Sequence, residues 1–573
     1  MSSFAAFRPA APSLSAGLTG KQAGGLFGWN TNKTFSNTAL KGQNGFARRG
    51  TDAIRSLVMP PLKDASPLQI LFTILSIVAS LLILEQIMYR RKKAHLPGPK
   101  WTTPVVGKFL DSMKPDLAKY KLGWDSGPLS VASVFHIFIV VASSVDHTRK
   151  ILNSSQYAEP CLVNAAKSII CPDNWVFLNG KPHLDYRKGL NNLFTARALE
   201  IYLGIQQEIY KRYFSEWLAD KDPNPKPYQM LMRDLNMETS LRVFCGDYIT
   251  DNDAKLVSEK YWAITMALEL VNFPIPLPGT KVYRAIQARK MVMKLFMSAA
   301  AQSKVRMAEG EEVKCLTDAW IKAMLDARLE RENPELGSDA RRILVRDFSD
   351  REIALVVLSF LFASQDAMSS ALVYLFQHVA DRPEILRKVR EEQYRLRAGD
   401  LDAPLTVDLI DQMEYTRSCV KESLRLKPPV IMVPYKTLKP FPIDAKYTVP
   451  KGAMVIPSFW NSLHDPQAYP QPDALKPERW MEGKDSPAQQ NTRNWLVFGS
   501  GPHHCIGQQY AQMHLTAVLS AASVMMDWEH EVTPQSEQVE ILCCIFPKDQ
   551  ARFKFTPRPT PSLGMSPEEA AAM

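Results

Sequence analysis

Between Leu68 and Met88 nearly every residue is apolar, and a helix needs about 20 such residues to cross a hydrocarbon core ~30 Å thick. Glu85 and Gln86 fall at the end of the run, within reach of the interface, and Arg90-Arg91-Lys92-Lys93 follow at once. The run starts too far from Met1 for a cleaved signal peptide, which leaves a membrane anchor over 67–89 or a buried core helix. Positive charge on the C-terminal side predicts that this side faces the cytosol; Arg48, Arg49, Arg55 and Lys63 on the other side weaken that bias. Residues 1–66 are rich in Ser, Gly, Asn and Thr, with no acid before Asp52. That composition predicts a disordered extension, lumenal if the anchor is oriented as above. It also resembles a transit peptide, but the anchor is the better address signal. A lumenal extension exposes the glycosylation sequon Asn32-Lys33-Thr34. Leu96-Pro-Gly-Pro99 ends any helix and makes a stiff elbow, so 90–104 reads as a basic cluster and hinge.

The remainder reads as one body. The chain has 573 residues, 46% of them hydrophobic, enough for a large core. No linker or repeat interrupts it from about Pro104 to Pro557. Helical patterns dominate at Arg351–Ala380, Arg382–Arg397 and Val407–Leu426. Strand-like runs lie near Ser130–Val141, Tyr435–Val455 and Arg552–Phe555. The fold class is therefore mainly α with small β-sheets, over residues 105–557, with 558–573 as a flexible tail. Phe273-Pro-Ile-Pro-Leu-Pro-Gly-Thr280 is an apolar break between helices, either an ordinary loop or a membrane-dipping lip over a substrate entrance. Eight scattered cysteines with no CxxC pair argue against a disulfide framework or zinc cluster and for a reducing compartment. The net charge is +10, but its Lys and Arg are dispersed. That fits a membrane surface or an acidic protein partner, not nucleic acid.

The chemistry gathers at Phe498-Gly-Ser-Gly-Pro-His-His-Cys505-Ile-Gly-Gln-Gln-Tyr510. Glycines let backbone pass close to a flat ligand. The segment from Gln508 to Met526 reads as a helix, so Cys505 lies just before a helix N-terminus, where free N–H groups and the dipole favour a thiolate. A thiolate there is a good axial ligand for haem iron. The Phe-x-x-Gly-x-x-x-Cys-x-Gly pattern, carried by Phe498, Gly501, Cys505 and Gly507, resembles the signature of the cytochrome P450 superfamily. The resemblance runs over roughly residues 90–560. It implies the P450 fold behind one transmembrane helix, and haem b (iron protoporphyrin IX) with Cys505 as the iron ligand.

Other motifs fit the same family. Glu422-Ser-Leu-Arg425 places a carboxylate and a guanidinium on one helix face, and Pro477-Glu-Arg479-Trp follows. Glu422, Arg425 and Arg479 resemble the buried triad that locks this fold behind the haem loop. His183-Leu-Asp-Tyr-Arg187 stands where the family usually has Trp-x-x-x-Arg for a haem propionate, with His in place of Trp. His503 takes the slot of the donor to the other propionate. The stretch Leu361-Phe-Ala363-Ser-Gln-Asp366-Ala-Met-Ser-Ser370 resembles the distal helix. There the family's acid feeds protons to the dioxygen chemistry, which implies that role for Asp366. The usual Thr is Ala367, so Ser364, Gln365 and Ser369, or ordered water, must organise the protons. Phe362, Ala363, Val433, Pro434, Ile545 and Phe546 are expected around an apolar pocket.

Phe362–Asp366 and the Cys505 loop, together with Trp29-Asn-Thr-Asn-Lys-Thr34, are similar to the fungal sterol side-chain desaturases of the superfamily. That resemblance implies an endoplasmic-reticulum enzyme of ergosterol synthesis with a cytosolic catalytic domain. It would form the C-22(23) double bond using dioxygen and electrons passed from NADPH by a diflavin NADPH-cytochrome P450 reductase. Lys181, Arg187 and Lys188 could meet the acidic face of that partner. The alternatives are a sterol hydroxylase or 14-demethylase, a haem-thiolate isomerase, and a non-enzymatic haem- or sterol-binding membrane protein. Asp366 argues against the isomerase, which needs no proton relay.

Overall fold

The structure is a computed structural model. It describes residues 66–573 except 110, 112–113, 136, 162–163, 269–275, 334–345, 398–399 and 562–564. The extension before Ser66, with Trp29–Thr34 and its Asn32 sequon, lies outside the described residues, as do the first three residues of the Phe273–Thr280 break. Residues 276–280 form a turn in which Leu277 is exposed, and Thr280 caps the helix that follows.

The apolar run is helical. Helix α1 spans Pro67–Lys93, and the chain divides within it into two compact units, before and after Ile77. In the described part of the first, Leu68, Phe72 and Leu75 are exposed. None of the most apolar window of α1 is buried, against 78% for the only other helix among the described residues that is long and apolar enough to span. The first is therefore the candidate membrane span and the second a core helix. In the second unit the end of α1 is tied to the elbow. Gln86 Nε2 donates to Thr102 O and Thr102 N to Gln86 Oε1, each at 3.1 Å; Val105 N donates to the Glu85 carboxylate, and Tyr89 OH to Pro99 O. Glu85 and Gln86 thus brace the segment that follows the Pro-Gly-Pro turn. Gly98 sits at φ +139°, and a Cβ there would lie 2.5 Å from Val131 O, so only glycine fits this elbow.

The body is built from α2 (Lys181–Leu190), α3 (Ala196–Ala219), α4 (Gln229–Cys245), α5 (Asp251–Met266), α6 (Lys281–Ala308), α7 (Asp350–Ala380), α8 (Pro383–Leu396), α9 (Glu414–Leu426), α10 (Gln508–Met525) and α11 (Pro567–Ala572), with further elements between, among them the helix Leu316–Glu332. Ser349 and Glu352 form a capping box that starts α7. Leu361, Leu372, Val373 and Phe376 of this helix are wholly buried, which explains its near-continuous apolar sequence. The helix expected over Val407–Leu426 breaks at Met413 (ψ 71°). There the buried Glu392 carboxylate accepts from Tyr415 N and Thr416 N and caps α9.

A five-stranded sheet contains β1 (Leu129–Val134), β2 (Ile137–Ala142), β3 (Ala158–Pro160), β4 (Tyr435–Thr437) and β5 (Met454–Pro457) in the order β1-β2-β5-β4-β3. Its β2–β5 pairing is parallel, with Val140 opposite Val455, and the rest is antiparallel. Further along, β6 (Met526–His530) pairs with β9 (Arg552–Pro557), and β7 (Val539–Ile541) with β8 (Ile545–Pro547) as a hairpin. The segment expected to be a flexible tail carries α11. Ala570 and Ala571 are buried, and Arg558 donates to both of their carbonyls while also reaching Asp527 and Tyr394.

One buried polar chain joins four helices. Tyr210 OH meets His514 Nδ1 at 2.6 Å, His514 Nε2 meets Asn236 Oδ1 at 3.0 Å, and Asn236 Nδ2 donates to Ser369 Oγ at 3.1 Å. Burial pushes His514 down to about 3, so the ring is neutral. Asn236 spends its N–H on Ser369, so its oxygen accepts from His514 Nε2–H, and Nδ1 accepts the Tyr210 hydroxyl.

Candidate functional site

The Cys505 loop folds as its glycines require. Gly499 and Gly501 sit at φ +72° and +76°, and a Cβ on Gly501 would lie 2.4 Å from Leu152 O. Cys505 N donates to Phe498 O and His504 N to Gly501 O, both at 3.0 Å. Gly507 caps α10, and Phe498 is half-buried against the main core. The Cys505 side chain keeps accessible surface, although protein surrounds it closely enough for burial to push the thiol up. The Gly507 N–H and Arg187 pull it back down. The protein alone therefore does not favour the expected thiolate; a coordinated metal deprotonates such a thiol outright.

Beside it, the His183 and His503 rings lie 4.0 Å apart, and Trp175 stacks on His183 at 5.9 Å and 12°. His503 Nε2 is buried without a partner. Burial, with His183 and Arg187 nearby, holds His503 down at about 4, so it is a neutral ring with one N–H to give. Burial and Arg187 also lower His183. The half-buried Arg187 makes no ion pair among the described residues, and its pKa falls with burial, opposed by the nearby Cys505. An accessible thiol, an unpaired guanidinium and an orphaned imidazole nitrogen form a donor set that fits a metal-centred group bearing carboxylates, as haem does. Arg187 turns toward this site, so of the three expected docking cations only Lys181 and Lys188 are exposed.

Behind the loop the predicted triad closes completely. Arg425 gives Nε and Nη2 to the two Glu422 oxygens at 3.0 and 2.9 Å, and Arg479 Nε reaches Oε1 at 2.9 Å. Trp480 Nε1 and Lys476 N add two more donors. The remaining guanidinium N–H groups go to the carbonyls of Leu463, Pro470, Gln471 and Ala474. No polar atom of the cluster is left unpaired, which a buried ion network needs in order to stabilise.

On α7 the four residues expected to handle protons separate. Ala363 is exposed, and Phe362, Ser364 and Ala367 are half-buried, in the middle of an otherwise buried helix. These four make the accessible stripe of α7. Ser364 Oγ lies 3.1 Å from Ser240 Oγ. Gln365 and Ser369 do not share this face. Gln365 Nε2 donates to Arg233 O and Ser369 Oγ to Gln365 O, and both side chains are buried against α4. The helical period puts them out of reach of the accessible stripe. Asp366 is buried in an ion pair with Arg233, which also lies over the Trp262 ring. Thr265 Oγ1 and Cys543 Sγ each donate to Asp366 Oδ2 at 3.1 Å. Val433 and Pro434 are half-buried, consistent with a pocket wall, whereas Ile545 and Phe546 are wholly buried in β8 and belong to the core. Sequence reasoning missed Arg233, Thr265 and Cys543. The adjacent Cys543 and Cys544 were the one visible signal, and nothing local marks the other two.

Three comparisons bear on this arrangement. The Cytochrome P450 family pattern matches residues 97–555. C-22 sterol desaturase erg5 of Aspergillus fumigatus is 48% identical over 474 residues, covering 81% of this chain and 90% of that protein. C-22 sterol desaturase ERG5 of Saccharomyces cerevisiae is 44% identical over 505 residues, covering 87% and 92%. Among solved structures, retinoic acid bound cyanobacterial CYP120A1 superposes with a TM-score of 0.67 at 21% identity, covering 81% of this chain and 99% of that one. That last likeness speaks for the fold alone.

Proposed function

The chain belongs to the cytochrome P450 family, and from that premise we propose that it is an oxidoreductase that inserts the C-22(23) double bond into a sterol side chain. The observation that carries the reading is the Cys505 loop with its Arg187 and His503 donors, in a chain 48% and 44% identical over most of its length to two C-22 sterol desaturases. When bound, haem supplies dioxygen activation and hydrogen abstraction. In balance, the substrate loses two hydrogens and NADPH a hydride, one further proton enters, and O2 leaves as two waters.

The residues divide the work by position. Cys505 ligates the iron. Arg187, His503 and His183 hold the carboxylates of the group, with Arg187 as the charged donor. Gly501 and Gly507 keep backbone close, and Phe498 packs the loop on the core. Phe362, Ala363, Ala367, Val433 and Pro434 give the sterol an apolar, uncharged surround. Asp366 is the proton-handling group of α7, and Ser364 supplies a hydroxyl beside the position where the family's Thr is replaced by Ala367. Electrons come from NADPH through a diflavin reductase meeting the Lys181 and Lys188 face, a pairing that speeds encounter more than it tightens binding. The candidate span in α1 supports membrane anchoring, and the reading puts the catalytic domain on the cytosolic surface of the endoplasmic reticulum, in ergosterol synthesis.

The test is incubation of the purified full chain with reductase, NADPH and a sterol saturated at C-22. A product lighter by two hydrogens, with a new side-chain alkene, is expected, and none without reductase. An alcohol, or a sterol that has lost its C-14 methyl, overturns the reading.

A further inference from the structure

Asp366 is held from three separate directions. Arg233 of α4 pairs with Oδ1, and Thr265, just before the end of α5, donates to Oδ2 at 3.1 Å. The third donor, Cys543 Sγ, meets the same Oδ2 at 3.1 Å from the turn between β7 and β8. That turn is fastened to α7 a second time, one helical turn on, where Ser370 Oγ donates to Ile545 O at 2.5 Å. Around it Cys544, Ile545 and Phe546 are buried, while Cys543 keeps part of its surface open. A hydrogen bond with Cys544, burial and the charge of Asp366 all push the Cys543 thiol well up. It therefore remains S–H and acts as a donor.

The arrangement is asymmetric. A carboxylate oxygen offers two lone pairs. Thr265 and Cys543 fill both on Oδ2, whereas Arg233 takes one on Oδ1 and leaves the other for a proton or a water. Of the three donors the thiol is the weakest, so it yields first when the hairpin shifts.

We propose that Cys543 is a positioning residue for Asp366, whose thiol completes Oδ2, leaves the spare capacity on Oδ1, and ties proton delivery to the seating of the β7–β8 turn. The inference rests on the proton-handling role of Asp366 proposed above. Cys543 has no contact with the reacting atoms in this scheme; it acts through the carboxylate.

Two readouts on the full chain test it. In the resting protein, the infrared S–H stretch assigned by difference against Cys543→Ala lies at the frequency of a thiol bonded to a carboxylate, and it moves when Asp366 is changed to Asn. In turnover, with folded enzyme counted by its reduced carbonyl Soret band, Cys543→Ala lowers the fraction of NADPH electrons recovered in product by about threefold to tenfold, the scale of one ordinary hydrogen bond, as befits a weak thiol donor. The sterol-induced spectral shift stays as in the wild type. Cys543→Ser, which keeps a donor, restores most of the coupling; a purely packing role gives no such rescue. If Asp366→Asn slows turnover while Cys543→Ala couples normally, the positioning role is overturned and the proton reading stands. If Asp366→Asn turns over normally, both fall. An S–H band indifferent to Asp366→Asn overturns the contact itself.

Discussion

Glu422 and Asp366 are both buried carboxylates paired with arginine, yet one is finished and the other is not. Glu422 receives two guanidinium groups, an indole and a backbone N–H, and every donor around it is used. Asp366 receives one arginine, a hydroxyl and a thiol, and its Oδ1 keeps spare capacity. A saturated cluster can only brace, because nothing further can approach it without breaking a bond. An unsaturated one can exchange a proton. The same carboxylate–arginine pairing is thus saturated behind the Cys505 loop and left with spare capacity on α7, where we propose that it handles protons.

The largest contrast should come from the ligand itself. Cys505→Ala abolishes the red-shifted Soret band of the reduced carbonyl complex, and a normal spectrum in that variant removes the ligand assignment. Glu422→Ala leaves two guanidinium groups buried without their anion, and should lower stability by about 3–5 kcal/mol, seen as a lower denaturant midpoint and less recoverable P450 spectrum. Asp366→Asn should behave in the opposite sense. Haem and sterol binding persist while turnover falls on the order of a hundredfold, the usual scale for loss of a positioned proton donor. If Asp366→Asn instead destabilises as Glu422→Ala does, the contrast collapses and both are locks.

The smallest effect is on pH dependence. His514 is held neutral, its pKa pushed down to about 3 by burial. Unfolding returns it to about 6.5, so below that pH the unfolded chain binds the extra proton. The stability tied to the neutral ring is complete above about 6.5 and is lost as pH falls toward about 3. His514→Gln should flatten the acid limb of a stability–pH curve. An unchanged limb places that limb on other groups, such as His464, which burial also pushes down to about 4.

The two clusters differ equally in how far they could be read beforehand. Glu422 and Arg425 share one helix face and Arg479 follows in a marked loop, so local spacing and family order sufficed. The Cys505 loop was legible for the same reason, since its glycines answer to local backbone geometry. The partners of Asp366 are 133, 101 and 177 residues away, on helices and a turn whose approach is set by tertiary packing. A charge in an apolar helix announced that a partner must exist, not which one. Gln365 and Ser369 were misplaced by treating neighbours in sequence as neighbours on a face, although consecutive helical positions diverge by about 100°. The apolar Ile545 and Phe546 fit a core as well as a pocket, and hydrophobicity alone could not separate the two.

The hold of α1 on the elbow bears on how a soluble form of this enzyme could be made. The apolar run ends at Met88, which invites a cut at Arg90. Such a cut would discard Glu85, Gln86 and Tyr89, and with them the bonds that fix Thr102, Val105 and Pro99. The turn at Gly98, pressed against Val131 at the start of the sheet, would then be tethered from one side only. A cleavage point ahead of Glu85 retains the clasp and sheds most of the grease; the boundary of the catalytic body lies inside the anchor helix, not at its end.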